Sequence, residues 1–260
     1  MKYIALIALM AAPAFAGPAD HNTTLTVLNG PQTARGSVMA GLRIDMAQGW
    51  KTYWRAPGDA GIPPQVRWDG SQNVGSVAFH WPVPQVFSEG GMRSIGYDQS
   101  VTIPIEVFPN ASGDIRLAGT MNIGVCEEIC VPVSLSFDLP LTRDAGRDPA
   151  ITAAMLNRPL TASEASVGDV TCTISPLDDG VQISATANMA TGRNDAIVIE
   201  TSDPFVWVSE PDVTRSATRV TATSDLVHVD TGAFGVDRSG IRITVIGDGR
   251  AVDIQGCRAP

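Results

Sequence analysis

The fold class follows from one stretch of the chain, SVMAGLRI at residues 37–44. Its apolar side chains occupy every second position, at Val38, Ala40, Leu42 and Ile44. Alternate residues of a β-strand point to the same face, so this pattern is typical of a strand with one face in a core. The stretch therefore predicts a half-buried strand.

Strand-like runs recur along both halves of the chain, with turn residues between them and no long helical pattern. In the first half they cover residues 23–28, 37–46, 65–68, 74–81, 101–107, 114–123 and 133–139. In the second half they cover residues 166–175, 180–188, 196–201, 206–209, 219–222, 226–230, 241–246 and 251–254. Short strands at a spacing of roughly 8–12 residues are typical of β-sandwiches. We therefore expect an all-β protein made of two immunoglobulin-like β-sandwich domains in tandem.

One short helix is predicted between the two halves. Asp148 is a favourable N-terminal cap, Pro149 suits the first helical turn, and Pro159 follows the apolar run AITAAML and ends it. We therefore predict a first domain at residues 17–142, a linker with this helix at 143–163 and a second domain at 164–260.

The first 16 residues have the pattern of a signal peptide. Lys2 supplies a positive charge, and the apolar run after it is shorter than the roughly 20 residues that a membrane span needs. Ala14-Phe15-Ala16 matches the small residues that precede a cleavage site. We expect export to the periplasm as a soluble protein without insertion into the membrane. Disulfides form and persist in that compartment.

The charge of the chain excludes two classes of partner. It carries 27 acidic and 18 basic residues, which gives a formal net charge of -9. A surface of this sign repels the phosphates of nucleic acids and the headgroups of anionic lipids. We therefore expect no nucleic-acid partner.

Two of the four cysteines, Cys126 and Cys130, flank a three-residue segment between two strand-like runs. A three-residue hairpin loop can place the flanking residues opposite each other, at a separation that suits a disulfide. The ring that such a bond closes is small, so the bond restricts the unfolded chain little. By spacing alone the pair is either a structural staple or a reversible redox site.

A metal site is a third interpretation of this pair. Copper(I) accepts thiolate and thioether ligands, and Met92 or Met121 could supply the thioether. The three histidines are scattered and lack the paired spacing of a zinc site: His21, His80 and His228. We expect no metal and no other cofactor.

The other two cysteines, Cys172 and Cys257, belong to the first and last strand-like runs of the second half. A bond between them would close a loop of roughly 85 residues and stabilise the domain by about 4–5 kcal/mol in the chain-entropy model. A structural disulfide is therefore predicted here.

Several motifs together resemble a known family. They are GWKTYWRAPGDAGIPP at 49–64, Trp68, WPVP at 81–84, Gly96-Tyr97, and the Cys126–Cys130 pair followed by Val131-Pro132. This set resembles the N-terminal periplasmic domain of the thiol reductase DsbD, and more closely its ScsB relatives, named for suppression of copper sensitivity. The likeness covers about residues 22–142. The second half also resembles ScsB-type chains, which place another immunoglobulin-like domain there.

The resemblance implies thiol–disulfide exchange of the protein-disulfide reductase type. In the family, the first periplasmic domain passes reducing equivalents to oxidised thioredoxin-fold partners, and a membrane electron-carrier protein reduces it. Carried over to this chain, Cys130 attacks the partner disulfide and Cys126 resolves the mixed disulfide. The alternative is a non-catalytic periplasmic binding or copper-handling module whose disulfides are all structural.

The family also shields its cysteines with a cap loop, which by position lies at residues 87–97 here. Phe87, Met92 and Tyr97 are the candidates for covering the cysteines, and the alternative is an ordinary hairpin loop. Tyr53 or Trp54 is expected to line the cysteine pocket, as the family's tyrosines do, unless both are core residues.

Four charged residues near these motifs also carry expectations. Glu127 and Glu128 either raise the pKa of the neighbouring thiols or are solvated turn residues. Arg55 is placed to pair with Asp59 across the Pro57-Gly58 turn.

Overall fold

The computed structural model describes residues 23–58, 61–89, 91–190, 192, 196–230 and 234–260. The predicted signal peptide at 1–16 and the side chain of Asp59 lie outside the described residues. Strands dominate the described chain, which confirms the all-β prediction.

The described residues of the first half contain ten strands. They are β1 Thr24–Gln32, β2 Val38–Asp45, β3 Lys51–Tyr53, β4 Gln65–Arg67, β5 Ser76–Phe79, β6 Gln85–Glu89, β7 Met92–Asp98, β8 Ser100–Phe108, β9 Ile115–Cys126 and β10 Cys130–Leu141. One sheet has the order β1-β2-β8-β5, and the other has the order β10-β9-β3-β7-β6 with β4 paired to β9. We call this unit the N-terminal domain.

The two sheets of the N-terminal domain enclose one apolar core. The stretch at 37–44 forms most of β2, and its alternating side chains Val38, Ala40, Leu42 and Ile44 are all buried. They pack with side chains of β8 from the same sheet and of β9 from the other sheet, such as Ile105 and Leu117. This shared core makes the unit a β-sandwich.

One short helix, α1 at Pro149–Leu156, follows the N-terminal domain. The side chain of Asp148 accepts hydrogen bonds from the backbone amides of Ala150 and Ile151, as an N-terminal cap does. Ile151 is buried over two glycines of the first sheet, Gly30 and Gly41. The helix is thereby fixed to the outer face of that sheet.

Where the structure describes the second half, it contains nine strands and one 3-10 helix at Arg238–Gly240. The strands are β11 Leu160–Thr161, β12 Val170–Pro176, β13 Val181–Ala187, β14 Ala196–Glu200, β15 Val206–Val208, β16 Asp212–Arg215, β17 Val220–His228, β18 Arg242–Gly247 and β19 Arg250–Gln255. One sheet has the order β11-β19-β18-β14, and the other has the order β12-β13-β17-β15 with β16 paired to β17. These sheets enclose a second core and form what we call the C-terminal domain.

The β14-containing sheet of the C-terminal domain is covered on both faces. Ile197 and Ile199 belong to the core of their own domain, whereas Ala196 joins the core of the N-terminal domain. Ile246 and Ala251, on the neighbouring strands, also pack against that N-terminal core. Since successive strand residues point to opposite faces, this sheet lies between the two domains.

Within the described part of the chain, no helix has both the length and the apolar character of a membrane span.

Candidate functional site

The predicted cysteine hairpin is present and confirmed. β9 ends at Cys126, β10 begins at Cys130, and the three residues between them form the turn. The two cysteines are direct partners in the strand register, with their Cα atoms 4.1 Å apart, and they form a disulfide. The register of a local hairpin therefore creates this bond without help from distant parts of the chain.

The two sulfur-bearing residues differ in their access to solvent. Cys126 lies on an inner strand, because β9 is paired on both sides, and it is only 7% exposed. Cys130 lies on β10, the edge strand of the sheet, and is exposed together with the turn residues 127–129. A molecule that approaches from solvent therefore meets Cys130 first.

Tyr53 contacts both sulfurs. Its hydroxyl lies 2.8 Å from Sγ of Cys126 and 3.1 Å from Sγ of Cys130. The register explains this position: Lys51 of β3 lies opposite Cys126, and Tyr53 is two residues further along the same face. The phenol is 6% exposed, so it meets the disulfide from the protein side.

The chain after Tyr53 forms a wall beside the site. The backbone amide of Trp54 donates to the carbonyl of Ile95, and the amide of Ile95 donates to the carbonyl of Pro57. A methyl group on Gly61 would lie 2.9 Å from Cδ1 of Tyr53, so only glycine lets the chain pass this close to the ring. This wall, residues 54–58 and 61–62, comes from the glycine- and proline-rich motif at 49–64.

Ile62 completes the wall. A methyl group on Gly124 would lie 2.8 Å from Cβ of Ile62, which places the isoleucine side chain directly over this glycine. Gly124 is two residues before Cys126 on the same face of β9. We did not anticipate this contact from the sequence, although a glycine in an otherwise apolar strand signals close approach of another segment.

The segment expected to form a cap loop is a regular hairpin, which corresponds to the alternative interpretation. β6 pairs with β7 in register from Gln85 opposite Gly96 to Glu89 opposite Met92. Gly96 of β7 lies opposite both Tyr53 of β3 and Gln85 of β6. Phe87 is two residues after Gln85, and Met92 is four residues before Gly96, so both lie on the sheet face that carries Tyr53 and Cys126.

Phe87 and Met92 differ in their contacts and in their exposure to solvent. The ammonium group of Lys51 lies 4.8 Å from the centre of the Phe87 ring, so Phe87 connects to the cysteine strand through Lys51. Met92, at the hairpin turn, is 63% exposed.

Trp54 and Tyr97 face the other way, into the sandwich core. Trp54 is fully buried, and the guanidinium of Arg55 lies 3.8 Å from the centre of its ring. The hydroxyl of Tyr97 donates to the carbonyl of Pro82, and burial raises the pKa of Tyr97 well above its usual value. Of the aromatic candidates, Tyr53 is therefore the one that the structure places against the sulfurs.

The structure shows where the charged residues Glu127, Glu128 and Arg55 lie. Glu127 and Glu128 are both exposed in the hairpin turn, and the carboxylate of Glu127 lies beside Gly49. Arg55 forms a two-pronged ion pair with Glu200 of the C-terminal domain. Within the described ranges, no three His, Cys, Asp or Glu side chains are grouped to hold a metal ion.

The second pair, Cys172 and Cys257, also forms a disulfide. Cys172 on β12 is fully buried, and Cys257 follows β19, so the bond crosses from one sheet of the C-terminal domain to the end of the other. The backbone amide of Cys172 donates to the carbonyl of Arg258, which holds the two chain segments side by side.

Comparison with known proteins places this geometry in context. Residues 25–141 match the family model described as the N-terminal domain of the thiol:disulfide interchange protein DsbD. Among solved structures, the chain is similar to the N-terminal periplasmic domain of ScsB from Proteus mirabilis, with 23% identity and a TM-score of 0.67. The alignment covers 94% of this chain and 96% of that one. No curated protein matches the chain at a significant level.

The resemblance predicted from the motifs is therefore confirmed. Residues 25–141, which carry the cysteine hairpin and Tyr53, are similar to the N-terminal domain of the thiol:disulfide interchange protein DsbD, and the whole chain has the fold of the ScsB N-terminal periplasmic domain.

Proposed function

We propose that the chain is a periplasmic thiol–disulfide exchange protein that passes reducing equivalents to oxidised thioredoxin-fold partners through Cys126 and Cys130. One observation carries this proposal: a hairpin disulfide joins an exposed cysteine to a buried one, and the hydroxyl of Tyr53 lies within hydrogen-bonding distance of both sulfurs. The match of residues 25–141 to the interchange family supports it.

The first step starts from the dithiol form of the hairpin. The thiolate of Cys130 attacks one sulfur of the partner disulfide and forms a bond to it. The partner's own S–S bond breaks, and its second sulfur leaves as a thiolate that takes up a proton. The exposed position of Cys130 on an edge strand supports this role, because a partner sulfur can approach it in line.

The second step releases the partner. The thiolate of Cys126 attacks Sγ of Cys130 in the mixed disulfide, so the Cys126–Cys130 bond forms and the partner's remaining sulfur leaves as a thiolate. Over both steps the partner gains two electrons and two protons, and the hairpin loses them. The buried position of Cys126 suits a thiol that needs to reach only its neighbour.

Tyr53 stabilises the charged sulfur in each step. Its hydroxyl donates a hydrogen bond to whichever sulfur carries the negative charge, and a hydrogen bond to a thiolate favours that form. A membrane electron-carrier protein then returns the hairpin to its dithiol form.

Trapping of the mixed disulfide tests this proposal. Cys126→Ser removes the resolving thiol, so an adduct with a purified, oxidised thioredoxin-fold protein should accumulate on a non-reducing gel and disappear with reductant. Cys130→Ser should give no adduct. The matched control is the double variant Cys126→Ser/Cys130→Ser, which keeps the Cys172–Cys257 disulfide and should also give none.

Two outcomes would contradict the proposal. An adduct with Cys130→Ser alone would reverse the two roles. No adduct with either single variant would favour a non-catalytic module with structural disulfides only.

A further inference from the structure

The second domain contacts the N-terminal domain next to the cysteine site. Arg55 follows Tyr53 by two residues, and its side chain reaches into the C-terminal domain. Its Nε donates to Oε1 of Glu200 at 3.0 Å, and its Nη2 donates to Oε2 of the same residue at 2.9 Å. The Nη2 atom also donates to the hydroxyl of Thr244, at 3.2 Å. Three hydrogen bonds therefore hold this one guanidinium to the C-terminal domain.

The Arg55–Glu200 pair is partly withdrawn from water. The side chains are 12% and 22% exposed, and the guanidinium stacks on the buried ring of Trp54. Burial is also the main reason that the pKa of Arg55 is lowered. A two-pronged pair in such a place fixes geometry more strongly than an exposed ion pair, because planar groups with parallel hydrogen bonds allow little rotation.

The backbone on both sides of Arg55 is tied to Ile95 of β7, the strand that pairs with the Tyr53 strand. Trp54, the residue between Tyr53 and Arg55, bonds to Ile95 through its amide. Pro57 also bonds to Ile95, and Gly61 passes against the ring of Tyr53. A shift at Arg55 would therefore be felt at the phenol that contacts the two sulfurs.

A second ion pair joins the C-terminal domain to β7, the strand next to β3. Nη2 of Arg93, on β7, lies 2.7 Å from Oε1 of Glu210 in the C-terminal domain. β7 is the strand that pairs with β3, which carries Tyr53. The segment that follows Tyr53 along the chain, residues 54–57, and the neighbouring strand β7 are thus each held by a glutamate of the other domain.

We infer that the C-terminal domain positions Tyr53 against the Cys126 and Cys130 sulfurs through the ion pair between Arg55 and Glu200. This inference rests on the proposed exchange function and names Arg55 and Glu200 as positioning residues for it. The C-terminal domain then helps to hold the residues of the redox site in position.

A double-mutant cycle on the full chain tests the inference. Its four proteins are the native sequence, Glu200→Gln, Tyr53→Phe and the double variant. The measured quantity is the second-order rate constant at which each dithiol form reacts with glutathione disulfide, followed by alkylation and mass mapping of Cys126 and Cys130. Thermal unfolding of each protein shows whether it is folded.

If the ion pair acts through the phenol, Glu200→Gln should slow the reaction by roughly three- to tenfold when Tyr53 is present. In the Tyr53→Phe background the same change should have less than about a twofold effect, since contacts that act as a unit are not additive. The pH–rate profile should move to higher pH in Glu200→Gln and not move further in the double variant.

Two further variants keep the test decisive. Arg55→Lys keeps the charge and loses the planar fork, so it serves where Glu200→Gln does not fold, and it should slow the reaction in the same non-additive way. Asp138→Asn breaks the ion pair with Arg116 in the cysteine hairpin itself, within one domain, and should leave the rate unchanged.

Equal slowing with and without the tyrosine, or no slowing at all, would overturn the inference. Failure of the proposed function would look different. An exposed dithiol reacts with glutathione disulfide whether or not it serves a protein partner, so the cycle can be read even if Cys126→Ser traps nothing.

Discussion

The two disulfides of this chain differ in loop size and in access to solvent. Cys126–Cys130 joins residues four apart in sequence, at the tip of a hairpin, and one of its cysteines is exposed. Cys172–Cys257 joins residues 85 apart, across the C-terminal domain, and one of its cysteines is fully buried. The first restricts the unfolded chain little and can be reached from solvent, whereas the second restricts it strongly.

The surroundings of the sulfurs add to this difference. A phenol hydroxyl contacts both sulfurs of the hairpin disulfide. At the other bond, the Sγ of Cys257 lies 3.9 Å from the backbone carbonyl of Arg238, an acceptor that cannot stabilise a thiolate. Loop size and the nearby donor both favour exchange at the hairpin and stability at the second bond.

The largest expected effect comes from removal of each bond in turn. The variant Cys172→Ala/Cys257→Ala should lose about 4.5 kcal/mol of the free energy of unfolding, whereas Cys126→Ala/Cys130→Ala should lose about 2 kcal/mol, in the chain-entropy model. Urea unfolding of both variants and of the native chain measures the two losses. Equal losses would mean that both bonds are structural staples.

A smaller effect is expected when the Tyr53 hydroxyl is removed, because only the hairpin pair should change its rate of exchange. Tyr53→Phe removes the hydroxyl that lies on the sulfurs, so the hairpin dithiol should react roughly tenfold more slowly with glutathione disulfide at neutral pH. The thiolate loses a hydrogen bond that favours it, so the pH–rate profile should also move to higher pH. The control is the Cys172–Cys257 bond in the same samples, whose reduction by dithiothreitol should not change. An unchanged hairpin rate would remove Tyr53 from the mechanism.

The smallest effect should come from the wall beside Cys126. Ile62 is 39% exposed and lies over Gly124, so Ile62→Ala should cost about 1 kcal/mol of stability. It should also open Cys126 to solvent and speed reduction of the hairpin disulfide by dithiothreitol about twofold. Leu156→Ala is the matched control, because Leu156 is 83% exposed at the end of α1, away from the cysteines. A similar acceleration in that variant would show that the wall does not shield the site.

The parts of this molecule that the sequence predicts are the ones that neighbouring residues determine. The alternation at 37–44 marks β2, the spacing of Cys126 and Cys130 marks the hairpin, and Asp148-Pro149 marks the start of α1. In each case the signal and the structure lie within about a dozen residues of each other, so periodicity or capping is sufficient.

The choice between Tyr53 and Trp54 could not be made from the sequence. Adjacent strand residues point to opposite faces, and the face is set by the register of β3 against β9. That register depends on a pairing between segments more than 70 residues apart. The strand pairing within residues 87–97 is a local hairpin, but its position beside the site depends on the pairing of β7 with β3, which is not local.

The contact between the domains was also beyond the sequence signal. Arg55 was expected to pair with Asp59, whose side chain lies outside the described residues, and the structure shows Arg55 paired with Glu200, 145 residues away. One hint was present: the run AIVI at 196–199 is apolar at successive positions, which is typical of a strand buried on both faces. This pattern indicates that both faces of the strand are covered, but it does not identify the residues that cover them.

We propose that Cys126–Cys130 exchanges with partner disulfides and that Cys172–Cys257 does not. The most direct test equilibrates the native chain with glutathione buffers of graded potential, alkylates the free thiols and maps each pair by mass spectrometry. We expect Cys126–Cys130 to be reduced at potentials less negative than about -300 mV, where structural disulfides stay oxidised, and Cys172–Cys257 to remain intact there. Equal resistance of both pairs down to the same potential would contradict it.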